Sequence, residues 1–106
     1  MEQSPRIGNE AFTEQFTAVL YDHWSEIIQV LNWQSPRIAA LLQVSYPSGM
    51  KRVNGGWRIQ VVIRKVAQPE RLRQPRDNEI VAHAICSWVR TAAQLDLPPV
   101  TVNFEL

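Results

Sequence analysis

The chain has 106 residues, a net charge of +1 and a hydrophobic content of 45%, which predict one soluble globular domain and exclude a largely disordered chain. A single cysteine, Cys86, excludes an intramolecular disulfide framework and favours a reducing compartment, so we expect a cytoplasmic protein. The polar start of the chain is unlike a signal peptide, and no apolar run approaches the roughly 20 residues that cross a bilayer. We therefore expect no membrane partner.

The charges are distributed unevenly along the chain. Residues 51 to 76 hold eight of the eleven basic residues and one acidic residue, which gives this segment a charge of +7 and the remainder −6. Residues 1 to 34 alone carry a charge of −4. This asymmetry indicates either an anionic partner for the basic segment or contact between basic and acidic surfaces of different copies.

In chain order, residues 1–8 lack apolar periodicity and predict a flexible tail before a single α+β domain over residues 9–106. From Ala11 to Trp33, apolar residues recur at three- and four-residue steps, which predicts one amphipathic helix of about six turns. Pro36 follows shortly after and ends it. The apolar stripe of this helix comprises Phe12, Phe16, Val19, Leu20, Trp24, Ile27, Ile28 and Leu31.

The segment from Ile38 to Tyr46 alternates apolar residues at every second position, so we favour a strand that ends at Pro47. A second helix that begins at Ser35-Pro36 is the alternative, because Ile38-Ala39-Ala40-Leu41-Leu42 has good helix propensity. The turn-forming residues between positions 47 and 56 predict a long hairpin connection with a basic tip.

The clearest strand pattern follows this connection. Trp57, Ile59, Val61 and Ile63 alternate with Arg58, Gln60 and Arg64, which predicts a half-buried strand with a basic outer face. The polar segment Gln68 to Arg76 predicts an exposed loop. A helix capped by Asp77 or Asn78 and a terminal strand at Val100 to Leu106 complete the pattern.

This succession predicts the order α-β-β-α-β, with a three-stranded sheet and two helices packed on one face. The connection between the last two strands is compatible with a parallel crossover. Such a sheet has two open edges, and each edge can accept a strand from a partner or from another copy.

No set of residues predicts catalysis or a cofactor. His83, Cys86 and Glu79 share a helix face, but a zinc site needs further ligands and a nucleophile pair needs convergent geometry. We therefore interpret Cys86 as a core thiol and His83 as a partly exposed histidine. Gly55-Gly56 leads into a strand, whereas a phosphate-binding glycine loop leads into a helix. We expect no enzyme activity, metal ion, cofactor or small-molecule substrate.

The basic residues of the segment 51 to 76 are the candidate partner-binding site. Arg58 and Arg64 share one strand face, and loop residues flank them, which suits contact with phosphates or with an acidic protein. A solvated sheet face is the ordinary alternative, and the strand lacks aromatic stacking residues on that side. The predicted basic surface comprises Lys51, Arg52, Arg58, Arg64, Arg71, Arg73 and Arg76.

Trp33 is a further candidate for partner binding. It follows the last apolar residue of its helix, beside a proline, where an indole either caps the core or lies in an interface.

Two families share the predicted order of elements. The succession of helix, strand, strand, helix and strand resembles the second type of KH domain, but no glycine turn interrupts Asp77 to Leu95. Gly56 to Ile63, the second helix and Val100 to Leu106 resemble the small tail-terminator and head-to-tail completion proteins of tailed bacteriophages. That resemblance implies ring assembly by extended sheets or by sheet-to-helix packing, and a place in a virion.

We therefore predict a non-catalytic assembly or adaptor subunit that self-associates into a homo-oligomer or larger assembly. The alternative is a small basic-faced, KH-like nucleic-acid-binding domain, whose affinity would fall steeply with salt.

Overall fold

A computed structural model describes residues 5–53, 58–72, 74–94 and 99–105, and the side chains of residues 5–13 and 49–53 lie outside this description. The helices and strands are α1 (Pro5–Asp22), α2 (Trp24–Gln34), α3 (Pro36–Leu41), β1 (Tyr46–Val53), β2 (Arg58–Arg64), α4 (Pro75–Trp88) and β3 (Val100–Phe104). A 3-10 turn at Pro69–Arg71 precedes α4, and a π-helical turn at Val89–Ala93 follows it.

The predicted first helix is two helices, because the backbone leaves helical geometry at His23 (φ −120°, ψ 22°). The predicted apolar stripe is confirmed where side chains are described: Phe16, Leu20 and Leu31 are all buried. The helix also begins earlier than expected. Residues 5–8 are helical, so the predicted tail was wrong for them, and residues 1–4 lie outside the described chain.

The predicted strand over residues 38–46 was wrong, since most of this segment forms helix α3 and the turn after it. Pro36 occupies the first turn of α3, and Ser35 Oγ accepts a hydrogen bond from the backbone N–H of Ile38. Ile38, Ala39, Leu41 and Leu42 are buried, a spacing that fits one helix face rather than one strand face. The first strand begins instead at Tyr46.

The three strands form one sheet in the order β1-β2-β3. β1 and β2 are antiparallel, with a bulge between Pro47 and Gly49, and β2 and β3 are parallel. The chain reaches β3 from β2 through α4, which is the crossover that parallel pairing requires. The hairpin tip at residues 54–57, including Trp57, lies outside the described chain.

Helix α4 begins three or four residues earlier than predicted, depending on whether Asp77 or Asn78 is taken as the predicted cap. Gln74 is its N-cap residue and Pro75 its first residue, so Asp77 lies inside the first turn and does not cap the helix. The predicted exposed loop before it is also partly structured, because Leu72 is buried in the core and Pro69–Arg71 form the 3-10 turn. Asp77 is buried, and its carboxylate accepts a hydrogen bond from Arg37 of α3.

The fold prediction is confirmed as an α+β domain with a three-stranded sheet. Ile59, Val61 and Ile63 of β2 are fully buried, whereas the residues between them are partly exposed, so one sheet face carries the core. Helices α2 and α4 contact each other, α4 contacts β3, and α1 contacts β1. This arrangement leaves the outer edge of β3 and the C-terminal end of α2 at the surface.

Candidate interaction surfaces

The structure separates the residues of the predicted basic surface. Arg58 and Arg64 share the outer face of β2, as expected, but they lie at opposite ends of the strand, about 20 Å apart. Arg64 forms an ion pair with Glu105, and Arg71 Nη1 donates to Gln68 Oε1 at 3.4 Å. Arg76 is exposed in the first turn of α4.

The remaining residues of the basic surface are described only in part. Lys51 and Arg52 belong to β1, where they pair with Gln60 and Ile59 of β2, but their side chains lie outside the description. Arg73 lies outside the described chain altogether. Contact between the basic surface and a partner therefore stays a prediction.

Trp33 is the most exposed large hydrophobic side chain described, with 89% of its surface accessible to solvent. It borders a hollow of about 600 Å³ between α2 and the turn after α3, which we call the Trp33 hollow. No charged side chain lines this hollow. Its lining residues are Trp24, Ser25, Ile28, Gln29, Asn32, Trp33, Gln43 and Ser45.

A buried hydrogen-bond chain fixes the wall of this hollow. Trp24 Nε1 donates to Ser45 Oγ at 3.1 Å, and Ser45 Oγ donates to the carbonyl of Leu42 at 2.7 Å. The indole N–H of Trp24 and the hydroxyl of Ser45 are thus both paired, so this part of the wall can hold its shape without a ligand. Val44, which lies in sequence between the lining residues Gln43 and Ser45, is 70% exposed. The position of Trp33 at a helix end indicated a partner-binding residue, whereas no sequence pattern indicated Val44, whose exposure follows from the turn that replaced the predicted strand.

A second concave site lies between α4 and the outer edge of β3. It has a volume of about 560 Å³, and we call it the α4–β3 groove. From α4 and the following turn it is lined by Asn78, Glu79, Ala82, His83, Cys86 and Arg90, and from the sheet by Arg58, Pro99, Val100, Thr101, Val102 and Asn103. No sequence pattern predicted this groove, because it depends on the parallel pairing of β3 with β2.

The groove brings together the three residues that were considered for metal binding or catalysis. Burial raises the pKa of the Cys86 thiol above its ordinary value, and the nearby Arg90 guanidinium partly opposes this by lowering it. His83 and Glu79 are exposed, and Cys86 is half-buried rather than a core residue. A thiol with a raised pKa is mostly protonated at neutral pH, which makes it a poor nucleophile.

Within the described chain, no group of three or more His, Cys, Asp and Glu side chains is arranged to hold a metal ion. Among these same residues, no helix combines the length and the apolar character needed to span a membrane. No protein-family model, curated protein or solved structure matches this chain.

Proposed function

We propose that the protein is a non-catalytic assembly or adaptor subunit that acts by self-association through the Trp33 hollow. The observation that carries this proposal is the 89% exposure of Trp33 beside a preformed hollow of about 600 Å³. An exposed indole costs free energy in water, and tryptophan is the residue most enriched at the centres of protein interfaces.

The chemistry of the hollow favours another protein surface over nucleic acid. Its lining is apolar and neutral polar, so a phosphate backbone would find no counter-charge there. The same neutrality allows two copies to approach each other without repulsion. An indole fits easily within the hollow, so Trp33 of one copy can occupy the hollow of another.

The uneven charge distribution supports association of more than two copies. The first 34 residues carry a charge of −4 and the segment 51 to 76 a charge of +7, so each copy has segments of opposite charge. Head-to-tail contacts between such surfaces generate rings when the rotation closes. A ring-forming subunit of the tail-terminator or neck type, within a phage virion, is the specific form of assembly we propose, and the pattern of elements supports it.

The test is the molar mass in solution, measured by light scattering after gel filtration at low and high salt. We expect a multimer at low salt, in which the contact at the Trp33 hollow persists in high salt and the contacts between opposite charges weaken. Trp33→Ala should weaken association by about 2 kcal/mol or more, which is about thirtyfold in the dissociation constant. Tyr21→Ala is the matched control, because Tyr21 is another exposed aromatic residue and does not line the hollow.

Two results would contradict this proposal. A wild-type protein that stays monomeric up to about 100 µM has no self-association strong enough to matter. A multimer that Trp33→Ala and Tyr21→Ala leave equally intact does not use the Trp33 hollow.

A basic-faced, KH-like nucleic-acid-binding domain is the second candidate. Arg58 and Arg64 on one face of β2 favour it, although Glu105 already pairs with Arg64. The double variant Arg58→Glu with Arg64→Glu should abolish binding of a labelled RNA or DNA oligonucleotide if this function is correct. Binding should also fall steeply as salt rises. An affinity that neither the variant nor salt changes would refute it.

A further inference from the structure

We propose that the α4–β3 groove binds an extended acidic peptide segment of another protein, which adds to the sheet as a fourth strand beside β3. This site is separate from the Trp33 hollow, since no residue lines both. The proposed peptide binding therefore goes beyond the proposed self-association, and a negative result for one of the two would leave the other unaffected.

The backbone of β3 presents an edge that can accept a strand. The carbonyl of Pro99 accepts from Ile59 N–H, and Glu105 N–H donates to the carbonyl of Ile63, so the odd-numbered residues of β3 bond to β2. Backbone groups alternate along a strand, so the N–H and C=O groups of Val100, Val102 and Phe104 point away from the sheet.

One contact confirms this direction and shows how the edge is occupied in the free protein. Asn78 Nδ2 of α4 donates to the carbonyl of Val102 at 2.6 Å. Among the described residues, this is the only hydrogen bond to the outer edge of β3. The side-chain amide of Asn78 occupies the position from which a backbone N–H of an added strand would donate to the Val102 carbonyl. A bound peptide therefore has to displace this amide or bind around it.

The charged residues are distributed unevenly along the groove, so they favour one orientation of a bound peptide. Arg58 and Arg90 lie at the end where β3 begins, because Val100 pairs with Ile59 and Arg90 follows the C-terminal end of α4. Glu79 lines the groove farther along β3, since it follows Asn78, which contacts the carbonyl of the central residue Val102. A peptide that adds antiparallel to β3 should thus carry acidic residues at its C-terminal end.

The same geometry disfavours a second copy as the occupant. If β3 paired with β3 of another copy about Val102, the two Asn78 side chains would meet at the two-fold axis and the two Glu79 carboxylates would repel each other. An acidic partner instead meets both arginines. The groove runs along Pro99 and the first four residues of β3, and pairing along that length is typical of peptides that extend a sheet.

The first experiment measures binding of a fluorescein-labelled peptide, acetyl-Lys-Val-Thr-Val-Thr-Val-Asp-Asp, by fluorescence anisotropy. We expect a dissociation constant below about 1 mM. The double variant Arg58→Glu with Arg90→Glu should weaken binding about tenfold or more. Lys65→Glu is the control, because Lys65 is exposed outside the groove and is not one of the residues of the predicted basic surface, and it should leave affinity unchanged.

Two further peptides separate strand addition from simple charge attraction. Moving the aspartates to the N-terminal end should weaken binding, because the acidic residues would then lie beside Glu79. Replacing the middle valine by proline should also weaken it, because proline removes a backbone donor. Asn78→Ala should tighten binding about threefold, because it frees the Val102 carbonyl, provided that circular dichroism shows the variant to be folded.

Hydrogen exchange of the backbone amides locates the peptide directly. Bound peptide should slow exchange at Val102 and Phe104, whose N–H groups face the groove side of β3. No binding at about 1 mM, equal loss with Lys65→Glu, or unprotected amides at both positions would overturn the proposal. Displacement of the peptide by a single-stranded oligonucleotide would also overturn the proposal and identify nucleic acid as the occupant. Protection of the Val102 amide by raised protein concentration alone would overturn it and identify a second copy.

Discussion

The ion pair between Arg37 and Asp77 allows a quantitative test of what holds α3 against α4. Arg37 Nη2 donates to Asp77 Oδ1 at 2.8 Å, and Arg37 Nη1 donates to the carbonyl of Arg71 at 3.2 Å. One side chain thus joins α3, the 3-10 turn before α4 and the first turn of α4. We expect Arg37→Ala to destabilise the fold because it leaves the Asp77 carboxylate buried without its partner.

The size of this effect follows from the burial of the two partners. Breaking a fully buried pair costs about 3–5 kcal/mol, whereas an exposed pair contributes about 0.2–1 kcal/mol. Here the Asp77 side chain is only 4% exposed, but Arg37 is 55% exposed, so solvent screens part of the interaction. We therefore expect Arg37→Ala to lower the free energy of unfolding by about 2 kcal/mol, and Tm by about 10 °C.

Urea and thermal unfolding, followed by circular dichroism, measure this loss. Arg76→Ala is the matched control, because Arg76 is an exposed arginine adjacent to Asp77 in sequence, and it should change stability by less than about 0.5 kcal/mol. The double variant Arg37→Ala with Asp77→Asn should be more stable than Arg37→Ala, because it removes the unpaired charge.

Two results would refute this reasoning. If Arg37→Ala unfolds within about 0.5 kcal/mol of the wild type, the ion pair does not stabilise the packing of α3 on α4. If the double variant is no more stable than Arg37→Ala, the loss does not come from the buried carboxylate.

Three further predictions concern other sites. Ser45→Ala should lower the free energy of unfolding by about 1–2 kcal/mol in urea unfolding, because it leaves the buried Trp24 Nε1 without its acceptor; an unchanged midpoint would contradict this. Gln94 has φ of 57°, a left-handed conformation that glycine adopts without steric cost, so Gln94→Gly should raise stability by about 0.5–1 kcal/mol, and a loss would argue against this geometry. Alkylation of Cys86 by iodoacetamide should be slower than that of free cysteine, because burial raises its pKa. Arg90→Ala should move the rate profile to higher pH, since it removes the charge that lowers this pKa; a shift to lower pH would contradict this.

Sequence patterns predicted those elements whose packing is periodic. The alternation of Ile59, Val61 and Ile63 identified the central strand, and the three- and four-residue spacing around Phe16 and Leu20 identified the N-terminal helical region, because burial of one face imposes both periods. The helix break at His23 has no such pattern. The strand prediction for the α3 segment was wrong because the apolar residues from Ile38 to Tyr46 fit both the helical and the strand period. The helix-start signal at Ser35-Pro36 was the better guide.

The candidate sites were less predictable because they depend on residues far apart in sequence. Trp33 could be selected from its position at a helix end, and its exposure agrees with a role in an interface. Asp77 was interpreted as a possible helix cap from its residue type and position, because its partner, Arg37, lies 40 residues away in sequence and no local pattern joins the two. The α4–β3 groove needed both the parallel register of β3 and the position of Asn78 above it, and neither has a sequence signal.

The parallel pairing of β2 with β3 also affects how the protein is made. β1 and β2 can form their hairpin as soon as residue 64 has left the ribosome, but β3 follows only after α4 has been synthesised. During that interval, the edge of β2 that later pairs with β3 has no neighbouring strand. This edge carries the apolar residues Ile59, Val61 and Ile63. Unpaired apolar edges of this kind promote aggregation of nascent chains. We therefore expect the yield of soluble protein to depend on how quickly translation proceeds through α4 to β3.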